Sequence, residues 1–355
     1  MLLVSSEQST AESAQITDVR PRLVVTIDTE EDNWGDPKSS LYQLENIYCL
    51  PDVQKIFDSF RVRPTYLVTY PVAVHQDSVK ILQDFVRSGK CEIGAHCHPW
   101  NTPPLSDSGA EERNGATMLC TLPPDAQLGK IKTLTDQIAA SFGQAPVSFR
   151  AGRWGYGPTV GAHLAQLGYL VDTSVSPYID WSSKCGPDFT QTPLTAYSEN
   201  LNQLFPGTKS VPLLEIPASI GYLQQNFSSA NKVYNFIAQS PLQKLHLIGL
   251  LHKLKLLNRI WLSPETQTEQ EMIDFARILI NKRFSFLNFT FHSPSLKIGL
   301  TPFVRNESDR LRFLERIKGF LSFISDQGIE TVTLRDAHAI VQQHSRTAAV
   351  VNGNG

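Results

Sequence analysis

The sequence predicts an α/β protein built on a parallel sheet, closed as a barrel or left open. Three observations predict it. Short β-rich runs alternate with helix-like segments along the chain. The chain of 355 residues is 41% hydrophobic and 19% charged, enough to bury a full core. Polar and titratable residues gather at the C-terminal ends of the β-rich runs, where parallel α/β barrels carry their active sites.

Eight runs read as strands: Arg22–Ile27, Pro64–Tyr70, Glu92–Ala95, Val147–Arg150, Tyr169–Asp172, Leu213–Pro217, Phe286–Phe291 and Glu330–Leu334. Helices are expected between them at Pro51–Arg61, Asp77–Ser88, Asp125–Phe142, Pro158–Leu167, Glu265–Arg283 and Ser308–Gln327. Pro51 and Pro158 suit a first helical turn, where a missing N–H costs nothing. Gly89, Gly168 and Gly328 follow helical patterns, as glycines beyond a helix C-terminus do. Pro99–Pro124, with five prolines, reads as a long loop. Ser240–Leu262 is basic and Leu-rich and reads as one amphipathic helix or a helix pair. It either packs on the barrel with a solvated cationic face or docks on a membrane surface or partner. The expected organisation is a single domain over 21–344, with an insertion at 222–264. Loose tails are expected at 1–20 and 345–355.

Several classes are excluded. The charge balance is 32 basic to 34 acidic residues, and nothing in it suggests a nucleic-acid binder, which usually shows a basic domain. The apolar runs are broken well before about 18 residues, too short for a membrane span. Met1–Thr10 lacks the basic start and apolar core of a signal peptide. Five cysteines at scattered spacings, with no Cys-x-x-Cys, suit a reducing compartment. The expected location is the cytoplasm, with peripheral contact at the inner membrane through 240–262 as a further expectation.

The chemistry-bearing residues lie at strand ends. His96 and His98 are two apart, so in an extended segment they point to one side and can share one ion. Asp28 and Glu30 have the same spacing, with Thr29 and Glu31 expected to face away while the strand lasts. Either carboxylate could complete a three-ligand open site; otherwise His-x-His is an ordinary strand-end pair. His292 follows an apolar strand and could serve as a general acid, with Asp172 as the candidate to hold it protonated. Arg150 would orient a carboxylate base, or form an ordinary rim ion pair. Trp34, Trp100, Trp154 and Trp181 follow the same strands. Sugar-ring stacking and packing between loops are both open to them; the substrate-contacting candidates are Trp34, Trp100, Trp154 and Tyr156.

In this order, these residues resemble the polysaccharide deacetylase family, also called NodB-like or carbohydrate esterase family four, over roughly residues 22–335. Thr26-Ile27-Asp28-Thr29-Glu30 occupies the place of the family's Thr-Phe-Asp-Asp-Gly motif, so Asp28 falls on its catalytic base. The family's second Asp, a metal ligand, is Thr29 here, and Glu30 is taken as its substitute. His96 matches the first of two metal-binding histidines four apart; Trp100 stands at the second, so His98 takes over at a shorter spacing. Phe149-Arg150 looks like the motif whose arginine braces the base, Asp172 like the aspartate that tunes the acid, and Phe291-His292-Ser293 like the motif of the catalytic histidine. Glu92–Pro104 and His292–Thr301 look like a bacterial exopolysaccharide-cluster branch.

The resemblance implies a distorted, TIM-like (β/α) barrel of seven or eight parallel strands, with a long rim loop and a helical insertion. It implies a divalent metal, zinc first and cobalt or nickel next. The implied activity is removal of an acetyl group from an N-acetylated sugar or polysaccharide precursor. Asp28 would be the base, braced by Arg150, and His292 the acid, tuned by Asp172. The ligands would be Glu30, His96 and His98. Alternatives are hydrolysis of another non-peptide C–N bond or an O-acetyl ester, or a glycan-binding barrel without turnover.

Overall fold

In the computed structural model, residues 14–15, 20–34, 37, 42–105, 117–199, 212–240 and 247–352 are described. The strands are β1 (Ala14–Gln15), β2 (Arg22–Thr29), β3 (Thr65–Val68), β4 (Glu92–Cys97), β5 (Ser148–Ala151), β6 (Val171–Asp172), β7 (Tyr197–Glu199), β8 (Leu213–Glu215), β9 (Ile220–Tyr222), β10 (Arg259–Trp261), β11 (Phe286–His292) and β12 (Glu330–Val332). The helices are α1 (Leu50–Ser59), α2 (Tyr70–Val74), α3 (Gln76–Arg87), α4 (Pro124–Phe142), α5 (Pro158–Gln166), α6 (Phe227–Gln239), α7 (Leu247–Lys253), α8 (Glu269–Asn281), α9 (Glu307–Asp326) and α10 (Leu334–Asn352).

The eight runs expected from the sequence form the eight parallel strands of one curled sheet, ordered β1-β7-β8-β6-β5-β4-β3-β2-β11 with β12 also on β2. β2 is the hub. β11 pairs with it from Arg22 to Asp28. β3 takes Thr26–Thr29 and β12 takes Arg22–Val24. The result is a distorted, TIM-like barrel that stays open. Among the described strands, no ladder joins β8 to β11. The outer edge of β11 is instead occupied at alternate residues. Asn288 N donates to Ser219 Oγ (2.8 Å), Thr290 N to the Leu262 carbonyl (3.1 Å), and His292 N to Glu265 Oε1 (3.1 Å).

Alternation sets the two faces of β2. Leu23, Val25 and Ile27 pack outward against the helices in the main core, while Val24 belongs to a separate inner cluster with Leu67, Val171 and Leu214. On β11 the outward rings lock onto α9: Phe289 stacks on Phe320 at 5.0 Å and Phe291 meets Phe313 edge-on at 5.5 Å. Each such ring contributes about 1.5–3 kcal/mol by burial. Local chemistry fixes the helix ends. α8 opens with a capping box between Thr268 and Glu271. Gly89 and Gly168 follow α3 and α5 at φ 65° and 85°, a conformation that costs glycine little.

Three expectations are corrected. Over its described part, the 240–262 segment is neither one helix nor a helix pair: α7 covers only Leu247–Lys253, and β10 turns back to pair antiparallel with β9; residues 241–246 lie outside the described residues. The insertion also holds α6, outside the expected helices. Within the 1–20 tail, Ala14–Gln15 forms β1 on β7; residues 1–13 and 16–19 lie outside the described residues. At the other end α10 continues through Asn352, past the expected boundary at 345. The long loop after β4 is described over 98–105 and again from 117. Its first part is held by the buried Lys130 ammonium, which donates to the carbonyls of Pro99 (2.9 Å), Thr102 (2.9 Å) and Pro104 (2.7 Å). No helix among the described residues is long and apolar enough to cross a membrane.

Candidate metal and active site

Strand register builds the site. Asp28 lies level with His292 across the β2–β11 ladder, and His96 level with Arg150 across β4–β5. All four side chains meet inside the C-terminal rim.

Arg150 is the fixed point. Each of its five N–H groups finds an acceptor. Nη1 donates to Asp28 Oδ1 (2.5 Å) and Thr290 Oγ1 (2.9 Å), Nη2 to Thr26 Oγ1 (2.9 Å) and Thr173 Oγ1 (3.2 Å), and Nε to the Thr173 carbonyl (3.0 Å). Burial alone would raise the Asp28 carboxyl. The Arg150 guanidinium, aided by His96 and His292, outweighs it and holds the pKa at about 2.

Beside this pair lies a buried cluster. Glu30 Oε2 is 3.6 Å from His96 Nε2 and 3.4 Å from His98 Nε2. The ligand atoms of Glu30, His96 and His98 all lie within 4.8 Å of one another, in the one such group among the described residues. His96 Nδ1 donates to the Arg150 carbonyl (3.0 Å), which leaves the Nε2 lone pair facing Glu30. Burial lowers the His96 pKa and favours the neutral ring that metals bind. His98 Nδ1 faces Glu31 Oε1 at 3.4 Å, an oxygen that also accepts from Asn101 Nδ2 (2.8 Å). This is the carboxylate–histidine arrangement that orients a metal ligand.

The cluster fits a divalent ion on three counts. Two imidazole lone pairs converge on one carboxylate. Glu30 Oε1 is buried without a hydrogen-bond partner. Burial pushes the Glu30 carboxyl up to about 8, against the pull of His292 and His98, so the pocket lacks the positive charge a carboxylate there requires. Glu30 is the carboxylate of this cluster; Asp28, 3.9 Å from His96 Nε2, is committed to Arg150. Gly152 permits the packing, since a Cβ there would stand 2.1 Å from His98 Cδ2.

His292 completes the set. Its Nε2 is 3.6 Å from Asp28 Oδ2, and its Nδ1 is 3.0 Å from Glu265 Oε2. Burial would lower its pKa, but the Glu265 carboxylate outweighs that and lifts it to about 10. Ser295 Oγ in turn donates to Glu265 Oε1 (2.5 Å).

The expected partnership of Asp172 with His292 is not the one the fold makes. Asp172 is in register with Phe149, one residue short of Arg150, so its side chain stands on the opposite face of the sheet. There it accepts from Ser174 Oγ (2.7 Å) and lies level with Glu215 of β8. Burial raises its pKa, against the hydrogen bonds with Glu215 and Ser174. Glu265 takes the position foreseen for it. β2 ends at Thr29, so the alternation expected to turn Glu31 away stops short of it, and its carboxylate turns to His98.

A cleft of about 330 Å³ opens over these groups. Trp34 and Trp154 line it, together with Trp181, Arg153 and Lys184. Trp34 meets the His292 ring edge-on at 5.5 Å. Trp100 borders the cleft but is 2% exposed; it is stacked on His98 at 4.2 Å, so it backs a ligand and offers no open face. Tyr156 is outside the cleft, buried with its hydroxyl on Glu199. Cys97 packs into the outer core on the far side of β4.

Sequence comparison finds no match to a known family profile and none to a curated protein. Solved structures do match in shape. A protein from Mycobacterium smegmatis described as a polysaccharide deacetylase aligns over 94% of each chain at 14% identity, with a TM-score of 0.54. A 4-α-glucanotransferase from Thermococcus litoralis aligns over 91% of this chain and 40% of its own at 12% identity, with a TM-score of 0.51. At these identities the likeness is one of fold: the chain has the curled, distorted barrel of the Mycobacterium smegmatis protein, with a buried Glu/His/His cluster suited to a divalent metal at its rim.

Proposed function

We propose that the protein is a metal-dependent hydrolase that removes the acetyl group from an N-acetylated sugar or polysaccharide precursor. One observation carries the reading. A carboxylate held ionised and a histidine held protonated face each other across 3.6 Å beside a three-ligand metal cluster, in one cleft.

Glu30, His96 and His98 would hold the ion; when bound, it polarises an acyl carbonyl and lowers the pKa of a water. Asp28 takes a proton from the attacking water, and Arg150 keeps its free oxygen turned toward the cleft. As the C–N bond breaks, His292 gives its proton to the departing nitrogen, because an unprotonated amide anion is too basic to leave. Glu265 keeps that proton on His292 at neutral pH. The proton gained by Asp28 then passes to His292 Nε2, downhill from the stronger acid to the weaker, and restores both groups. The products are acetate and a free amine. Trp34, Trp154 and Trp181 give flat apolar walls suited to sugar rings. Zinc is the proposed metal, and an exopolysaccharide precursor in the cytoplasm the proposed setting.

The test is acetate release from a panel of N-acetyl sugars, O-acetyl sugars and small amides, with zinc, cobalt or nickel added. Turnover of N-acetyl sugars, lost in Asp28→Asn, supports the reading. Turnover of esters or cyclic amides alone would replace it.

A further inference from the structure

We propose that α6, α7 and the residues just past α7, within the 222–264 insertion, form a docking surface for an anionic lipid bilayer. From Tyr222 to Pro264 the sequence has no Asp or Glu, yet carries Lys232, Lys244, Lys253, Lys255 and Arg259. The chain as a whole is slightly acidic, so this cationic block is local.

The same block is where the apolar surface is. Val233 (50% exposed), Phe236 (68%), Leu250 (52%), Leu254 (58%) and Leu256 (62%) are half of the large exposed apolar side chains among the described residues. They project from two packed helices. Val233 and Phe236 stand one turn apart on α6, and Leu250 and Leu254 on and just past α7. Cations interleave with them in Leu250-Leu251-His252-Lys253-Leu254-Lys255-Leu256. A Cβ added at Gly249 would meet nothing within 4 Å, so this side of α7 faces open space, while Ile248 and Leu251 pack against the core. Between α6, α7 and β10 runs a groove of about 450 Å³, walled by Tyr234, Ile248 and Trp261 and flanked by Lys253 and Arg259. The nearest acidic contact is Glu271, 3.4 Å from His252 Nε2.

Apolar side chains among lysines match one environment, the headgroup boundary of an anionic bilayer. The apolar groups enter the acyl region and the ammonium groups stay with the phosphates. A second copy of the chain fits poorly, because it would bring lysine against lysine. Trp261 of β10 lies 5.4 Å from Trp154, so the docking face is continuous with the wall of the cleft.

The test uses the full chain and vesicle sedimentation, which reads lipid binding whatever reaction the cleft performs. Wild type should pellet with phosphatidylcholine vesicles containing about one quarter phosphatidylglycerol, and not with phosphatidylcholine alone. Lys253→Gln/Lys255→Gln should weaken binding about fivefold per charge, and added salt should do the same. Phe236→Ser/Leu254→Ser should abolish it, with thermal melting checked for each variant. If the apolar variant does not fold, the lysine variant and the salt series decide. Three outcomes would overturn the proposal: no binding to anionic vesicles; binding indifferent to both variants; or self-association, or capture of an acidic protein, that Phe236→Ser removes while vesicle binding is absent.

Discussion

His292 and Glu265, 27 residues apart in the chain, place imidazole Nδ1 3.0 Å from carboxylate Oε2, and Ser295 holds the same carboxylate from the other side. This contact holds His292 at about 10 instead of 6.5. A raised histidine pKa adds stability that is full below 6.5 and is lost as pH climbs toward 10. Glu265→Gln removes the charge and keeps the shape. The basic limb of kcat/KM should move down by more than about one pH unit, toward the ordinary histidine value. A pH–rate profile of the two proteins measures it, and an unmoved basic limb would show that another group holds the acid.

Asp28→Asn should lower kcat by about 10²–10⁴, the usual contribution of a positioned base. It also strands the buried Arg150 guanidinium, so stability should fall by about 3–5 kcal/mol. Denaturant melts beside kinetics separate the two effects. The wild-type pair has its own acid signature. The Asp28 pKa is depressed from 3.8 to about 2, so its stabilisation is present above 3.8 and disappears as pH falls through 2.

Metal content should follow the cluster. About one equivalent of divalent ion should copurify with or load onto wild type, and none onto His96→Ala/His98→Ala, as read by elemental mass spectrometry. Glu31→Gln leaves all three ligands in place but loosens His98, and should weaken metal affinity about 10–100-fold. Full affinity in Glu31→Gln would mean that the Trp100 stack alone orients the ring.

The two tryptophans near the histidines should behave differently. Trp34→Ala should raise KM with little change in metal affinity, because Trp34 lines the cleft without touching a ligand of the cluster. Trp100→Ala should lower metal affinity and cost about 3–5 kcal/mol of stability, since the ring is buried against His98. Titration calorimetry and melting curves distinguish them.

The sheet was legible in the sequence because its strands are short apolar runs, most of them rich in β-branched or aromatic residues, set between helical patterns, and all eight parallel strands fall on runs read as strands. β1 and β7 were not: two or three residues carry no period. His96 and His98 were legible from spacing alone, because both imidazoles hang from one face of β4 and the residue beyond it. Glu265 was not. It reads as a helix start, and only the return of β10 beside β11 brings it to His292. Asp172 misled because strand-end position was visible while strand parity was not; a shift of one residue in register turned its carboxyl to Glu215.

The alternate amides of Asn288, Thr290 and His292, each already donating to an acceptor outside the sheet, have a consequence for the protein's behaviour in a crowded solution. An open barrel presents edges, and a free parallel edge is a template on which another chain can nucleate a cross-strand aggregate. Here the β11 edge is plugged from within the same chain, and among the described residues the opposite edge of the sheet is the two residues of β1, which are too short to recruit a strand. The barrel is therefore open without being sticky. Substitution of Ser219, whose hydroxyl accepts from the Asn288 amide, should shorten its shelf life by precipitation before it changes the melting temperature.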